Sequence, residues 1–270
     1  MRENFVYLVQ HIEKTGGSSL QRDFLVPAFG YNHIYNFDPK SNSFRIPEKP
    51  PHVKYPALAR FRQLLSKSFL EPILRIVSKE FTRPNEQRLS WEQVNVAEKP
   101  LLIRGHYAMN HVRSIRHNFA TVVLRDPRAR MISQYMHYFR LKGKTRWRVE
   151  MPYDEICPIT FEEYALDERM LNYQAQAICA KNLDAYDFVG ITPDLATLTS
   201  AIIYSLDLQT TPQTVGVVNN APANQRQPVL TPEFMSKFQA AHATDYALYE
   251  EAVGRNQKQK AELSRNIIAV

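Results

Sequence analysis

Phe5-Val6-Tyr7-Leu8-Val9-Gln10-His11-Ile12-Glu13-Lys14-Thr15-Gly16-Gly17-Ser18-Ser19-Leu20 is the stretch whose reading decides the fold. Five apolar residues in succession, Phe5 to Val9, suit a strand covered on both faces, as strands of a parallel sheet are. His11 to Gly17 then reads as a loop, and Ser18 and Ser19 open a helix through Leu20, Phe24 and Leu25 that Pro27 stops.

Working outward, the same strand-then-helix grammar recurs. Leu101-Leu102-Ile103 is a second strand ending in Arg104-Gly105-His106, and Ala120 to Leu124 a third ending in Arg125-Asp126-Pro127. Pro127 suits the first turn of a helix running to about Leu141. Further helices are predicted near Phe161–Ala180, Asp194–Tyr204 and Pro232–Val253, with short strands at Phe188–Gly190 and Val215–Val218. Tyr31 to Pro56 is rich in Pro, Asn and Lys and reads as surface loop. Ala57 to Glu80 has an apolar face and reads as a helix kinked at Pro72. Alternating strands and helices predict one α/β domain over residues 1–270, three layers with a central parallel sheet flanked by helices. Ligands of such sheets bind beyond the carboxyl ends of the strands, so the strand tips are where chemistry belongs.

The composition is that of a globular protein, 44% hydrophobic and 23% charged. A net charge of +7 and a pI near 9.3 favour an anionic partner without naming it. Cys157 and Cys179 alone do not make a disulfide framework. The sequence shows neither a secretory signal nor about 18 consecutive apolar residues, so a cytoplasmic chain without a membrane span is expected.

Lys14-Thr15-Gly16-Gly17-Ser18-Ser19 lies between a buried strand and a helix start. Glycines let the backbone turn tightly, and amides at a helix N-terminus, aided by the helix dipole, attract an anion. Lys14 adds a full charge and the serines add hydroxyls. A capped helix with a tight turn and a solvated lysine fits the same residues. The loop is not a Walker A motif, because its lysine precedes the glycines, and no strand-end aspartate for magnesium is evident. Arg125 at its strand tip can pair with a phosphate through its planar fork, and Ser133 can add a hydroxyl from the following helix, which Asp126 is placed to cap. A capped helix beside an exposed arginine is the plainer reading of that element taken alone.

Together, His11–Leu20 and Val122-Val123-Leu124-Arg125-Asp126-Pro127-Arg128-Ala129-Arg130-Met131-Ile132-Ser133-Gln134-Tyr135 resemble two signatures of carbohydrate sulfotransferases, the uronosyl 2-O- and heparan 6-O-sulfotransferases and their bacterial relatives. Those signatures bind 3′-phosphoadenosine 5′-phosphosulfate (PAPS). The resemblance implies a P-loop-like fold. It gives Lys14, Thr15, Gly16, Gly17, Ser18 and Ser19 the 5′-phosphosulfate, and Arg125 and Ser133 the 3′-phosphate. Glu13 replaces the usual proline and puts a carboxylate beside Lys14. More weakly, Asp187–Thr192, Asn219–Arg226 and Asp245–Glu250 resemble the family's later strand, loop and helix, and Arg226 joins the cofactor-binding candidates. About half the chain is covered, and residues 38–95 are expected to be a loop or helical insertion near the acceptor cleft.

Sulfuryl transfer requires alignment of donor and acceptor, stabilisation of leaving-group charge and removal of the acceptor proton. Lys14 is the candidate for the charge and His106 for the base, with His33 and Glu13 in reserve; His11 is expected to pack against or orient the loop. No metal is expected. The acceptor implied is a sugar or glycoconjugate, acidic or lipid-linked, and the run Arg140, Lys142, Lys144, Arg146, Trp147, Arg148 suits it as well as it suits a solvated loop. A nucleotide kinase and a non-catalytic basic anion-binding protein are the rival readings. No nucleic-acid module is recognisable.

Overall fold

The structure is a computed structural model of the chain and describes residues 6–29, 34–38, 43–45, 88–89, 101–105, 119–141, 160–178, 182–208 and 228–268. Strand β1 (Val6–Gln10) sits between β5 (Leu101–Gly105) and β6 (Phe119–Leu124), parallel to both. Beyond β5 lies β2 (Ile34–Asp38) and beyond β6 lies β7 (Phe188–Ile191), again parallel. Two short antiparallel strands, β3 (Ser43–Arg45) and β4 (Arg88–Leu89), complete one edge, giving the order β4-β3-β2-β5-β1-β6-β7.

Strand alternation splits the apolar residues between two cores. Tyr7 and Val9 of β1, Leu102 of β5 and Val123 of β6 face one side. There they meet the helical segment made of α1 (Gly17–Leu20), a π-turn (Gln21–Leu25) and α2 (Val26–Phe29). Helix α6 (Leu195–Ser205) packs on the same side through Leu195, Leu198 and Ile202. Leu8, Ile103, Ala120, Val122 and Leu124 face the other side, against Ile178 of α5 (Tyr173–Ile178) and Leu248 and Ala252 of α8 (Ala243–Ile268). Each fully buried large side chain of this kind contributes about 1.5–3 kcal/mol by leaving water. A third cluster joins α3 (Pro127–Leu141), α4 (Phe161–Ala165) and α7 (Pro232–Ala241) through Met131, Tyr135, Phe161, Phe234 and Phe238. The predicted three-layer α/β fold is therefore the fold of the chain.

The details differ from the sequence reading at four places. Within Tyr31–Pro56, read as loop, β2 and β3 extend the sheet. Ile34-Tyr35-Asn36-Phe37 alternates too briefly, amid Asn, Asp and Pro, to stand out as a strand. Pro27 does not stop the first helix. Val26 N–H bonds Gln21 O across the π-turn, which widens the helix around Asp23, whose carbonyl a proline ring would meet in a regular helix. Phe161–Ala180 is two helices, parted where Asn172 takes a left-handed φ of 47°. Pro232–Val253 is also two, broken at His242, and the second runs on to Ile268 on residues with good helix propensity but little core to cover. The predicted helix 57–80, the strand Val215–Val218, Cys157 and Cys179 lie outside the described residues.

The strand order reverses about β1, and its carboxyl end opens between β5 and β6 at the topological switch point.

Candidate active site

The loop leaving β1 is tied to the ends of three neighbouring strands. His11 N–H donates to Gly105 O of β5 at 2.9 Å. Arg104 Nη2 stands 2.8 Å from His11 Nδ1, and because arginine can only donate, the imidazole accepts there. The His11 ring lies beneath Gly17: a Cβ at that position would come within 2.0 Å of His11 Cδ2, so only glycine fits. From β6, Arg125 Nη1 donates to Lys14 O at 3.1 Å. Just past β7, the Thr192 hydroxyl lies 2.7 Å from Thr15 O and 3.2 Å from Leu124 O, sharing its hydrogen between them.

These ties hold a backbone that would not rest there by itself. Lys14 has φ 67°, a left-handed conformation costly for a residue with a Cβ, and Gly16 follows at φ 94°. Arg125 grips the Lys14 carbonyl, Thr192 the Thr15 carbonyl, and Thr15 Oγ1 donates to Ile12 O at 3.0 Å. Thr15 is thus buried, its hydroxyl and its carbonyl both spent on holding the loop. The first helical bond is Leu20 N–H to Gly16 O, so the amides that a helix start offers to other acceptors are those at the crown of this loop.

Arg125 itself is half-buried. Burial pulls its guanidinium below its ordinary pKa, and the carboxylate of Asp126 partly restores it. Such a partly desolvated cation gains most from an anionic partner. Its main chain is held by Gln174, and Asp126 caps α3 by accepting from Ala129 N–H at 2.8 Å. Ser133 stands two turns into α3, half-buried.

Glu13 points to α3. Its carboxylate accepts from Gln134 Nε2 at 3.3 Å, and Gln134 accepts in turn from the buried Arg130, whose guanidinium lies 4.4 Å above the Tyr173 ring. Burial lowers the Arg130 pKa, with Asp245 opposing it.

The structure thus brings Lys14, Thr15, Gly16, Gly17, Ser18, Ser19 and Arg125 to one rim, with Ser133 on the adjoining helix. His106, His33 and Arg226 lie outside the described residues, as does the basic run from Lys142 to Arg148. The sequence reading missed Gln134, Gln174 and Thr192 as site residues. Gln134 and Thr192 carried a signal, each lying in a stretch already singled out by resemblance, and Gln174 carried none. Among the described residues no group of three His, Cys, Asp or Glu side chains is arranged to hold a metal, and no helix is long and apolar enough to cross a membrane.

Residues 2–261 match the sequence profile described as "Sulfotransferase family", and the chain belongs to that family. Its members transfer sulfuryl groups to an acceptor and generally use PAPS. Among solved structures, the crystal structure of a sulfotransferase from Alicyclobacillus acidocaldarius is similar at 14% identity and a TM-score of 0.37, covering 89% of this chain and 92% of that one. No curated protein matches the sequence. The family assignment rests on the sequence match.

Proposed function

We propose that this protein transfers the sulfuryl group of PAPS to a hydroxyl of a carbohydrate or glycoconjugate, without a metal. The observation carrying this reading is the junction of two strand tips, where the Arg125 guanidinium reaches the Lys14 carbonyl. It makes one rim of an amide-rich turn with an ammonium and a strand end with a planar cation. That donor set suits a ligand carrying anionic groups at two ends. PAPS, when bound, supplies an activated sulfuryl group whose departure leaves negative charge on the 5′-phosphate.

In this reading the amides from Gly16 to Ser19 and the ammonium of Lys14 hold the 5′ end, and Lys14 neutralises the leaving-group charge. Ser18 and Ser19 add hydroxyls there. Arg125 grips the 3′-phosphate through its fork, Ser133 adds a hydroxyl, and Arg226 contributes a further cation. His106 takes the acceptor hydroxyl's proton. The carbohydrate acceptor is supported by the resemblance of the two motifs alone. Residues 38–95, with β3 and β4 at the sheet edge, border the acceptor cleft within a single catalytic domain.

Calorimetry decides the donor: 3′-phosphoadenosine 5′-phosphate should bind far more tightly than ATP, and a preference for ATP would point to a kinase. Transfer of radiolabel from PAPS across a panel of sugars, glycolipids and simple alcohols decides the acceptor. Activity should survive a chelator, and His106→Ala should abolish turnover while binding of the nucleotide persists.

A further inference from the structure

Behind Arg125 lies a buried polar network whose sequence gives no hint of it. The Gln174 side chain, fully buried, treats residue 125 as a neighbouring strand would. Its Oε1 accepts from Arg125 N–H at 3.0 Å and its Nε2 donates to Arg125 O at 2.9 Å. Both main-chain groups of the residue at the end of β6 are thereby fixed, just where the strand has run out of partners.

Gln174 is itself held from behind. Asp245, in the first turn of α8, accepts from Gln174 N–H at 3.1 Å and from Ala175 N–H at 2.8 Å, so it caps α5 from another helix. Asn172, just before α5, returns the favour: its Oδ1 accepts from Asp245 N–H at 3.1 Å, at the start of α8. Asn172 also donates to Ala241 O at 3.1 Å, and its N–H reaches His242 Nδ1 at 3.2 Å. The two helix starts cap each other, and Gln174 projects from that joint to the strand tip.

We propose that Gln174 is the positioning residue for Arg125, setting the aim of its guanidinium and with it the protein's preference for a 3′-phosphorylated nucleotide. This rests on the reading of Arg125 given above. A side chain that only filled space here would need no two-point grip on one residue's main chain. A grip of this kind governs the direction of whatever that residue carries, and a fork aimed at a phosphate tolerates little misdirection.

The test compares 3′-phosphoadenosine 5′-phosphate with adenosine 5′-phosphate, by calorimetry on the full chain. Gln174→Met keeps the volume and removes both bonds; Gln174→Glu keeps the acceptor for Arg125 N–H and loses the donor to its carbonyl. Both should weaken the 3′-phosphorylated nucleotide by about tenfold or more and the other by less than about twofold. In turnover, KM for PAPS should rise while kcat at saturation stays within about threefold of the parent. Equal weakening of both nucleotides, or unchanged binding in either folded variant, overturns the proposal; if Gln174→Met fails to fold, Gln174→Glu decides alone. A parent protein that does not distinguish the two nucleotides would instead sink the assignment of Arg125 to the 3′-phosphate. A parent that distinguishes them, with variants that do so equally well, sinks only the role of Gln174.

Discussion

The crown loop and the support behind Arg125 are built from opposite materials. From Lys14 to Ser19 the chain offers an ammonium and backbone amides at a rim, on a backbone held in a left-handed turn. Gln174, Asp245 and His242 are polar side chains no more than 1% exposed, each spending its hydrogen-bonding groups on main chain. The contrast teaches that chemistry and rigidity reside in different residues. Changes at the rim should strike turnover and spare the fold; changes in the support should strike the fold and reach turnover only through direction.

Lys14→Ala puts the contrast to its hardest test. Turnover should fall by about a thousandfold or more, the scale of losing a preorganised charge partner, with a melting temperature close to the parent's. A large loss of Tm would mean that the loop is structural. Asp245→Ala is the converse. It strips the cap from Gln174 N–H and Ala175 N–H and removes the carboxylate that opposes burial of Arg130. It should cost on the order of 3 kcal/mol in urea unfolding, since buried donors left without acceptors cost about 1–3 kcal/mol each. Arg125→Lys keeps the charge and loses the fork, so KM for PAPS should rise by about tenfold with the fold intact. Thr192→Val removes the hydroxyl shared by Thr15 O and Leu124 O, and should cost about 1 kcal/mol and raise KM a few-fold.

The smallest effect is one of pH. Burial holds the His242 pKa below its ordinary value, and Nδ1 accepts from Asn172 N–H, so the folded protein keeps the ring neutral. Below about pH 6.5 the unfolded chain takes up a proton that the folded chain refuses. Stability should therefore fall as pH drops from that value toward the folded-state pKa, and His242→Gln should remove that part of the slope in urea midpoints.

The sequence was legible wherever a strand is covered on both faces. Phe5–Val9, Ala120–Leu124 and Phe188–Gly190 are predominantly apolar runs, and the sheet has strands at Val6–Gln10, Phe119–Leu124 and Phe188–Ile191. The edge was illegible, since β2 and β3 carry too little apolar pattern to separate them from loop. Helix breaks were hidden for the opposite reason: apolar spacing continues across Asn172 and His242, whose role in parting helices depends on partners about 70 positions away. At the site, the glycine pair and the strand-tip arginine could be read because their chemistry follows from type and order along the chain. A glutamine clamp cannot be read that way. An amide that binds main chain has no required spacing, and only the fold says which main chain it meets.

The joint between the starts of α5 and α8 also sets an order of events during synthesis. Asp245 is made 120 residues after Arg125 (245 − 125), whose main chain it backs through Gln174, so that strand tip lacks this backing until α8 has left the ribosome. The seven described strands all precede Asp245 in the chain, so a nascent chain can build this sheet before the strand tip at Arg125 is backed.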